Sequence, residues 1–165
     1  VIPVVIAINM MDVLEKAGDT LDEKILTNIA DFTIIVFDIN GLKEINDNKG
    51  HEEGDNSIIN TTSVITTVFG ADHTYRIGGD EFIVILENVS QEEIEAYFIK
   101  VRKESDKFNE SNPDLITPVS FSMGAATYRK ELDKDYKAVF KRADEAMYRN
   151  KGLYYKNFHD RRKNK

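Results

Sequence analysis

The chain has 165 residues, 41% hydrophobic and 31% charged, with a formal net charge of −7 and no cysteine. That is enough chain for one domain with a core of its own, and the balance is that of an ordinary globular protein. Without cysteine there are no disulfides, no thiolate chemistry and no cysteine-based zinc site, and the net acidity argues against a duplex nucleic-acid footprint.

In chain order, Val1 to Ile8 is apolar but well short of the ~20 residues of a membrane span, and it lacks a basic leader. The start at Val rather than Met points to a fragment with residues upstream. Residues 12 to 28 carry Val13, Leu14, Leu21 and Ile25 at helical spacing, with Gly18 as a break. Phe32 to Phe37 is a buried-strand run that ends at Asp38 and is followed by the turn-like Ile39-Asn40-Gly41. Ile58, Thr62, Ile65 and Phe69 predict a helix over about 53–68. Residues 74–77 and 82–86 predict a hairpin around Gly78-Gly79, a turn whose backbone angles are open mainly to glycine. Ser90 with Glu93 is a capping box opening a helix whose stripe is Ile94, Tyr97, Phe98 and Val101. Asn112-Pro113-Asp114 is a loop. Val119 to Thr127 is a strand interrupted by Gly124. Tyr136, Val139, Phe140, Ala143, Ala146 and Met147 line one face of a last helix that ends near Gly152. The basic end, Arg161 to Lys165, reads as a solvated terminus.

After the first helix the order is β-α-β-β-α-β-α, the α+β, ferredoxin-like antiparallel sheet flanked by helices. With no internal repeat and no linker, one domain spans 1–165.

Two apolar strands meet carboxylates at their ends, Asp38 after the first and Asp80-Glu81 before the hairpin's second strand. If those strands are neighbours, the carboxylates sit together, where a hard divalent cation sharing its ligands with phosphate would be held. The other reading is two solvated strand ends, one of them capping a helix.

Gly78-Gly79-Asp80-Glu81-Phe82 resembles the signature of the GGDEF domains, the diguanylate cyclases. Asp38 to Asp47 is similar to the family's first metal-and-phosphate segment. Gly50-His51-Glu52-Glu53-Gly54-Asp55 is similar to its GHxxGD motif, Ser120 to Gly124 to its SxSxG strand, and Arg142 to Tyr148 to its last-helix motif. The likeness runs from about 30 to 152. It leaves about 1–29 as a divergent N-terminal segment and about 153–165 as a C-terminal tail.

The resemblance implies a polymerase-palm-like, nucleotidyl cyclase-like fold that condenses two GTP into cyclic di-GMP and releases two pyrophosphates. It implies Mg²⁺, with Mn²⁺ as a substitute, and a homodimer in which each domain holds one GTP. It also implies an upstream sensor domain absent from this chain and a cytoplasmic setting in bacterial signalling, either free or as the cytoplasmic domain of a larger, membrane-bound sensor protein. With the acidic balance and the short apolar runs, this chain itself is expected to contact neither nucleic acid nor membrane. A catalytically silent GTP-binding module is the alternative.

By the same resemblance Asp38, Asp80 and the Ile39 carbonyl ligate metal, Glu81 supports it, and Asp80 accepts or steers the proton of the attacking hydroxyl. Asn40, Gly41, Leu42 and Lys43 form a turn with N–H groups and a lysine aimed at phosphate. Asn46 and Asp55 read guanine, and Lys151 binds triphosphate. Arg76 is structural or interface-facing, and His51 packs or hydrogen-bonds rather than ligating metal. Three departures stand out. Phe69 replaces the arginine of an Arg-x-x-Asp product-inhibition motif, weakening feedback through that site. Tyr155 stands at an expected arginine, a loss that Lys156 is placed to cover. The opening LTGLxN segment is matched only by Asn9.

Overall fold

The computed structural model describes residues 19–23, 25–28 and 31–163, with side chains as far as 156. The expected features at Asn9, at 12–18 and in the apolar opening run lie outside the described residues. Residues 19–23 and 25–26 are helical, in line with that part of the first predicted helix.

The elements that follow are β1 (Phe32–Ile39), α1 (Leu42–Lys49), α2 (His51–Phe69), β2 (Thr74–Arg76), β3 (Glu81–Glu87), α3 (Gln91–Ser111), β4 (Phe121–Thr127) and α4 (Tyr136–Lys163). The strands form one sheet in the order β2-β3-β1-β4, with every neighbouring pair antiparallel. This is the α+β, ferredoxin-like sheet that the element order predicted.

β1 is buried along its whole length because helices cover both faces of the sheet. Phe32, Ile34 and Val36 face α4 and pack with Ile83, Val139, Ala143 and Met147. Ile35, Phe37 and Ile39 face the other way, among Val64, Ile65, Val84 and Val101 of α2, β3 and α3. The strand's period of two sorts its side chains between these two cores. It also assigns Asp38 to the α4 face.

Gly124 sets how close α4 lies to the sheet. A Cβ there would overlap the main-chain N of Met147 and stand 2.6 Å from the Ala143 carbonyl oxygen. α4 therefore rests directly on the backbone of β4, with no side chain between them.

Four features differ from expectation. α1 is a separate helix between Gly41 (φ 73°) and Gly50 (φ 89°), too short for its periodicity to register. β4 begins at Phe121 because the Val119 backbone is taken by α3. Asn109 donates to the Val119 carbonyl at 3.0 Å and accepts the Val119 N–H at 2.8 Å. α4 does not stop at Gly152 but continues to Lys163, so residues 153–163 are helix rather than a frayed tail. At Gly78 and Gly79 the backbone is not in the left-handed region, so the turn does not demand glycine for its angles. At Gly78 a Cβ would stand 3.0 Å from a Glu81 carboxylate oxygen, a tight fit against the movable end of a side chain, and at Gly79 it would meet nothing within 4 Å.

The capping box is present in full. The Ser90 hydroxyl accepts the Glu93 N–H, and the Glu93 carboxylate accepts the Ser90 N–H.

Candidate active site

The two acidic strand ends are neighbours, as the cation-site reading required. Asp38 of β1 stands directly opposite Glu81 of β3. The Ile39 N–H donates to the Asp80 carbonyl at 2.9 Å. Asp38 and Glu81 therefore form the non-hydrogen-bonded pair beside it, the kind whose side chains lie closer. Both project toward α4, which supplies the cation: the Lys151 ammonium donates to Asp38 Oδ1 at 2.6 Å.

The charge balance is uneven. Asp38 is 6% exposed. Burial pushes its carboxyl above the ordinary range, Lys151 pulls it back, and Asp80 and Asp144 push it up again. Glu81 is raised by burial first and then by Asp38, Asp80 and Asp144. For Lys151, burial works against the charged form, but the hydrogen bond and charge of Asp38 prevail and its pKa is raised. Carboxylates from β1, the turn before β3 and α4 thus bear on one another across one ammonium.

Asp144 is the member that sequence reasoning left without a role. Its spacing of seven from Lys151 places both on one side of α4, and that spacing was the available signal.

The donor set is oxygen only, which suits a hard divalent cation. Among the described residues, no three His, Asp or Glu side chains converge closely enough to hold an ion by themselves. Mg²⁺ ordinarily takes one or two carboxylates and completes its shell with water and substrate phosphate, so Asp38 with Glu81 or Asp80 fits that habit.

The turn after β1 differs in detail from expectation. The Asn40 N–H is spent on the Ser120 carbonyl at 3.0 Å and is not available to a phosphate. Gly41 takes φ 73° and ψ 22°, and α1 opens with no side-chain cap. The N–H groups of its first turn, Leu42 and Lys43 included, have no partner inside the helix. Leu42 is buried and anchors that turn, while the Lys43 side chain is exposed.

Asn46 and Asp55 form a second group at the α1–α2 corner. Gly50 turns the chain there, its N–H donating to the Asn46 carbonyl at 3.0 Å. The Asn46 side chain lies over the bare Cα of Gly54, where a Cβ would sit 2.9 Å from Asn46 Cγ and overlap Oδ1. Asp55 is the next residue and is exposed. In the GHxxGD stretch, the first glycine makes the corner, the second leaves room for Asn46, and the aspartate faces out beside it. His51, expected to pack or hydrogen-bond, is exposed at the start of α2.

Arg76 is structural. Its guanidinium donates to the Gly78 carbonyl at 3.1 Å and the Gly79 carbonyl at 2.9 Å, tying the turn that presents Asp80. Phe69 is buried against Phe37 and Tyr97, with ring centroids 5.9 and 5.1 Å away. Tyr155 lies one turn beyond Lys151 and stacks edge-on with Tyr154 at 5.4 Å. No helix among the described residues is long and apolar enough to cross a membrane.

The architecture is that of solved GGDEF domains. Over 87% of this chain and 84% of the other it superposes, with a TM-score of 0.73 and 24% identity, on the GGDEF domain of DgcB from Caulobacter crescentus, solved in complex with c-di-GMP. The family described as "Diguanylate cyclase, GGDEF domain" matches residues 12–153, and the chain belongs to that family. It is 34% identical over 119 residues to the diguanylate cyclase DosC of Shigella sonnei, covering 70% of this chain and 25% of that protein. It is 32% identical over 120 residues to diguanylate cyclase A of Treponema denticola, covering 72% of this chain and 32% of that protein. The chain thus spans about a quarter to a third of the length of these relatives.

Proposed function

We propose that this chain is the catalytic domain of a diguanylate cyclase, condensing two GTP into cyclic di-GMP and two pyrophosphates in a bacterial signalling pathway. The observation that carries the reading is the Asp38–Glu81 carboxylate pair, opposed across β1 and β3 and met by the single ammonium of Lys151.

Asp38, Asp80 and the Ile39 carbonyl would hold the divalent cation, Mg²⁺ or Mn²⁺, with Glu81 beside them. Bound there, the cation would neutralise triphosphate charge and lower the pKa of the attacking 3′-hydroxyl. The chain's own groups do the rest. Gly41, Leu42 and Lys43 offer N–H groups and a charge at the start of α1, where the helix dipole favours phosphate. Lys151 leaves Asp38 to engage the triphosphate. Asn46 and Asp55 pair with guanine, the carboxylate accepting from its ring N–H and exocyclic amine. Asp80 takes or steers the hydroxyl proton. Two such domains must face each other, each presenting its GTP to the other, so turnover requires a homodimer. An upstream sensor would govern that pairing.

Product inhibition through the Arg-x-x-Asp site is expected to be weak, because Phe69 is buried core. One observation favours a silent GTP-binding module instead. Tyr155 offers no guanidinium to the triphosphate, leaving Lys151 to act with Lys156 or alone.

The test is incubation of concentrated protein with GTP and Mg²⁺, followed by chromatography for cyclic di-GMP. Product that disappears with Asp80→Ala, while the variant stays folded, supports the cyclase. Mg²⁺-dependent GTP binding without product moves the reading to the silent module. An Asp80→Ala variant with full activity overturns the site.

A further inference from the structure

Ser120 and Ser122 belong to a motif that the proposed chemistry leaves without a role. Their hydroxyls, however, both bond Asn40. The Ser122 hydroxyl donates to Asn40 Oδ1 at 2.7 Å, and Asn40 Nδ2 donates to the Ser120 hydroxyl at 2.9 Å. With the Asn40 N–H on the Ser120 carbonyl, residue 40 makes three hydrogen bonds to two residues of the neighbouring chain segment. Ser122 is 1% exposed and Asn40 7%. In the low dielectric of such a site these bonds are strong, and losing one leaves a costly buried group.

The location matters more than the count. Ser122 is the residue of β4 directly opposite Asp38, as Glu81 is on β3. It therefore lies in the same cross-strand row as the carboxylates, yet spends its hydroxyl on Asn40. Ile39 is tied to Asp80 on one side and Asn40 to Ser120 on the other. Immediately beyond this double tether, Gly41 turns through φ 73° into α1, which has no side-chain cap. A carboxamide has one accepting and one donating end, so two serines at alternate positions of an extended segment hold its plane in one orientation.

We propose that Ser120 and Ser122 are positioning residues for phosphate. They fix Asn40, and through Asn40 they aim the N–H groups of Gly41, Leu42 and Lys43 at the nucleotide. The inference rests on the reading that this turn binds the phosphates of GTP, and it gives the SxSxG stretch a part in binding. Gly124 of the same stretch separately seats α4 and Lys151.

The test uses ¹⁵N-labelled protein titrated with α,β-methylene GTP and Mg²⁺, reading amide shifts by residue. In the wild type, shifts are expected at Gly41, Leu42 and Lys43 and also at Asn46 and Asp55. In Ser122→Ala the first group should lose its shifts while the second keeps them, with affinity lower by about tenfold. Ser120→Ala, at a more exposed position, should act in the same direction and decides the matter if Ser122→Ala fails to fold. Variants that bind with wild-type affinity and wild-type shifts at 41–43 overturn the positioning role and leave the GTP reading standing. A wild type with shifts at Asn46 and Asp55 but none at 41–43 also overturns it. A wild type with no shifts at all overturns both.

Discussion

The Lys151 ammonium lies 2.6 Å from Asp38 Oδ1, so the lysine assigned to triphosphate rests on the carboxylate assigned to metal. Each favours the other's charged form against the opposing pull of burial. A cation arriving at Asp38 must compete with this ammonium, and a triphosphate that draws Lys151 away exposes the carboxylate. Lys151→Met is therefore expected to act in opposite directions on two ligands. Binding of Mn²⁺ alone, read by electron paramagnetic resonance, should tighten by about tenfold. GTP affinity, read by calorimetry, should weaken by about the same factor or more. Weakening of both would mean that the lysine only supports the fold.

Glu81 gives a pH dependence of stability with a definite sign. Its pKa is raised above the ordinary 4.5 by burial and then by Asp38, Asp80 and Asp144. A carboxyl raised in the folded state binds its proton more tightly there than in the unfolded chain. Its penalty is absent below about pH 4 and grows as pH rises through the raised value. Glu81→Gln should thus be more stable than wild type at neutral pH, by less than about 1 kcal/mol because the group is partly solvated. The two should converge near pH 4 in urea titrations. A variant less stable at neutral pH would show that Glu81 is held by a favourable partner.

Arg142 and Asp133 fix the start of α4. The guanidinium donates to both Asp133 carboxylate oxygens, at 3.0 and 2.5 Å, and to the Thr127 carbonyl at 2.7 Å. Asp133 is 5% exposed and also accepts the Arg129 N–H. Arg142→Ala leaves that carboxylate buried without its cation, a loss of about 3–5 kcal/mol in denaturant titration. Replacing both residues by apolar ones of similar volume should restore much of it. If the single variant costs nothing, the pair is ornamental.

Period and capping carried the fold a long way. β1 and β3 are legible as unbroken apolar runs, α3 by the Ser90–Glu93 capping pair at its start, and α4 by an apolar stripe at helical spacing. What stayed hidden depends on distance across the sheet. Nothing local marks Val119 as bound by Asn109, or Asp133 as the partner of an arginine nine residues on. The eight-residue α1 is bounded by two positive-φ glycines, and its span is too short to show a period. Gly152 was read as a stop, yet nothing in the chain after it blocks a helix, and α4 continues. In the site, the resemblance supplied residue types, while the Asn40 clamp, the Asp144 charge and the Lys151–Asp38 contact required the packed strands and helix.

Gly124 offers a test of helix seating. A Cβ there would drive into the α4 backbone at Ala143, Ala146 and Met147, and main chain cannot step aside as a side-chain end can. Gly124→Ala should destabilise by about 3 kcal/mol or more in denaturant titration. It should also weaken GTP binding in whatever fraction stays folded, since Lys151 rides on the displaced helix. A variant of unchanged stability would mean that α4 sits further from β4 than described.

Gly54 separates function from stability. Its Cα faces the Asn46 carboxamide, and a Cβ would overlap Oδ1 and crowd Cγ, both at the movable end of a side chain. Gly54 lies inside α2, where alanine is the better helix former by up to about 1 kcal/mol. Gly54→Ala should therefore keep or raise thermal stability while turning Asn46 away from its place beside Asp55. If these two residues read guanine, GTP affinity should fall by about tenfold, and the preference for GTP over ATP should shrink with it. The measurement is a thermal melt paired with calorimetry against both nucleotides. Loss of stability would show that Asn46 is held too firmly to move. Unchanged GTP affinity in a well-folded variant would remove Asn46 from the base-reading site.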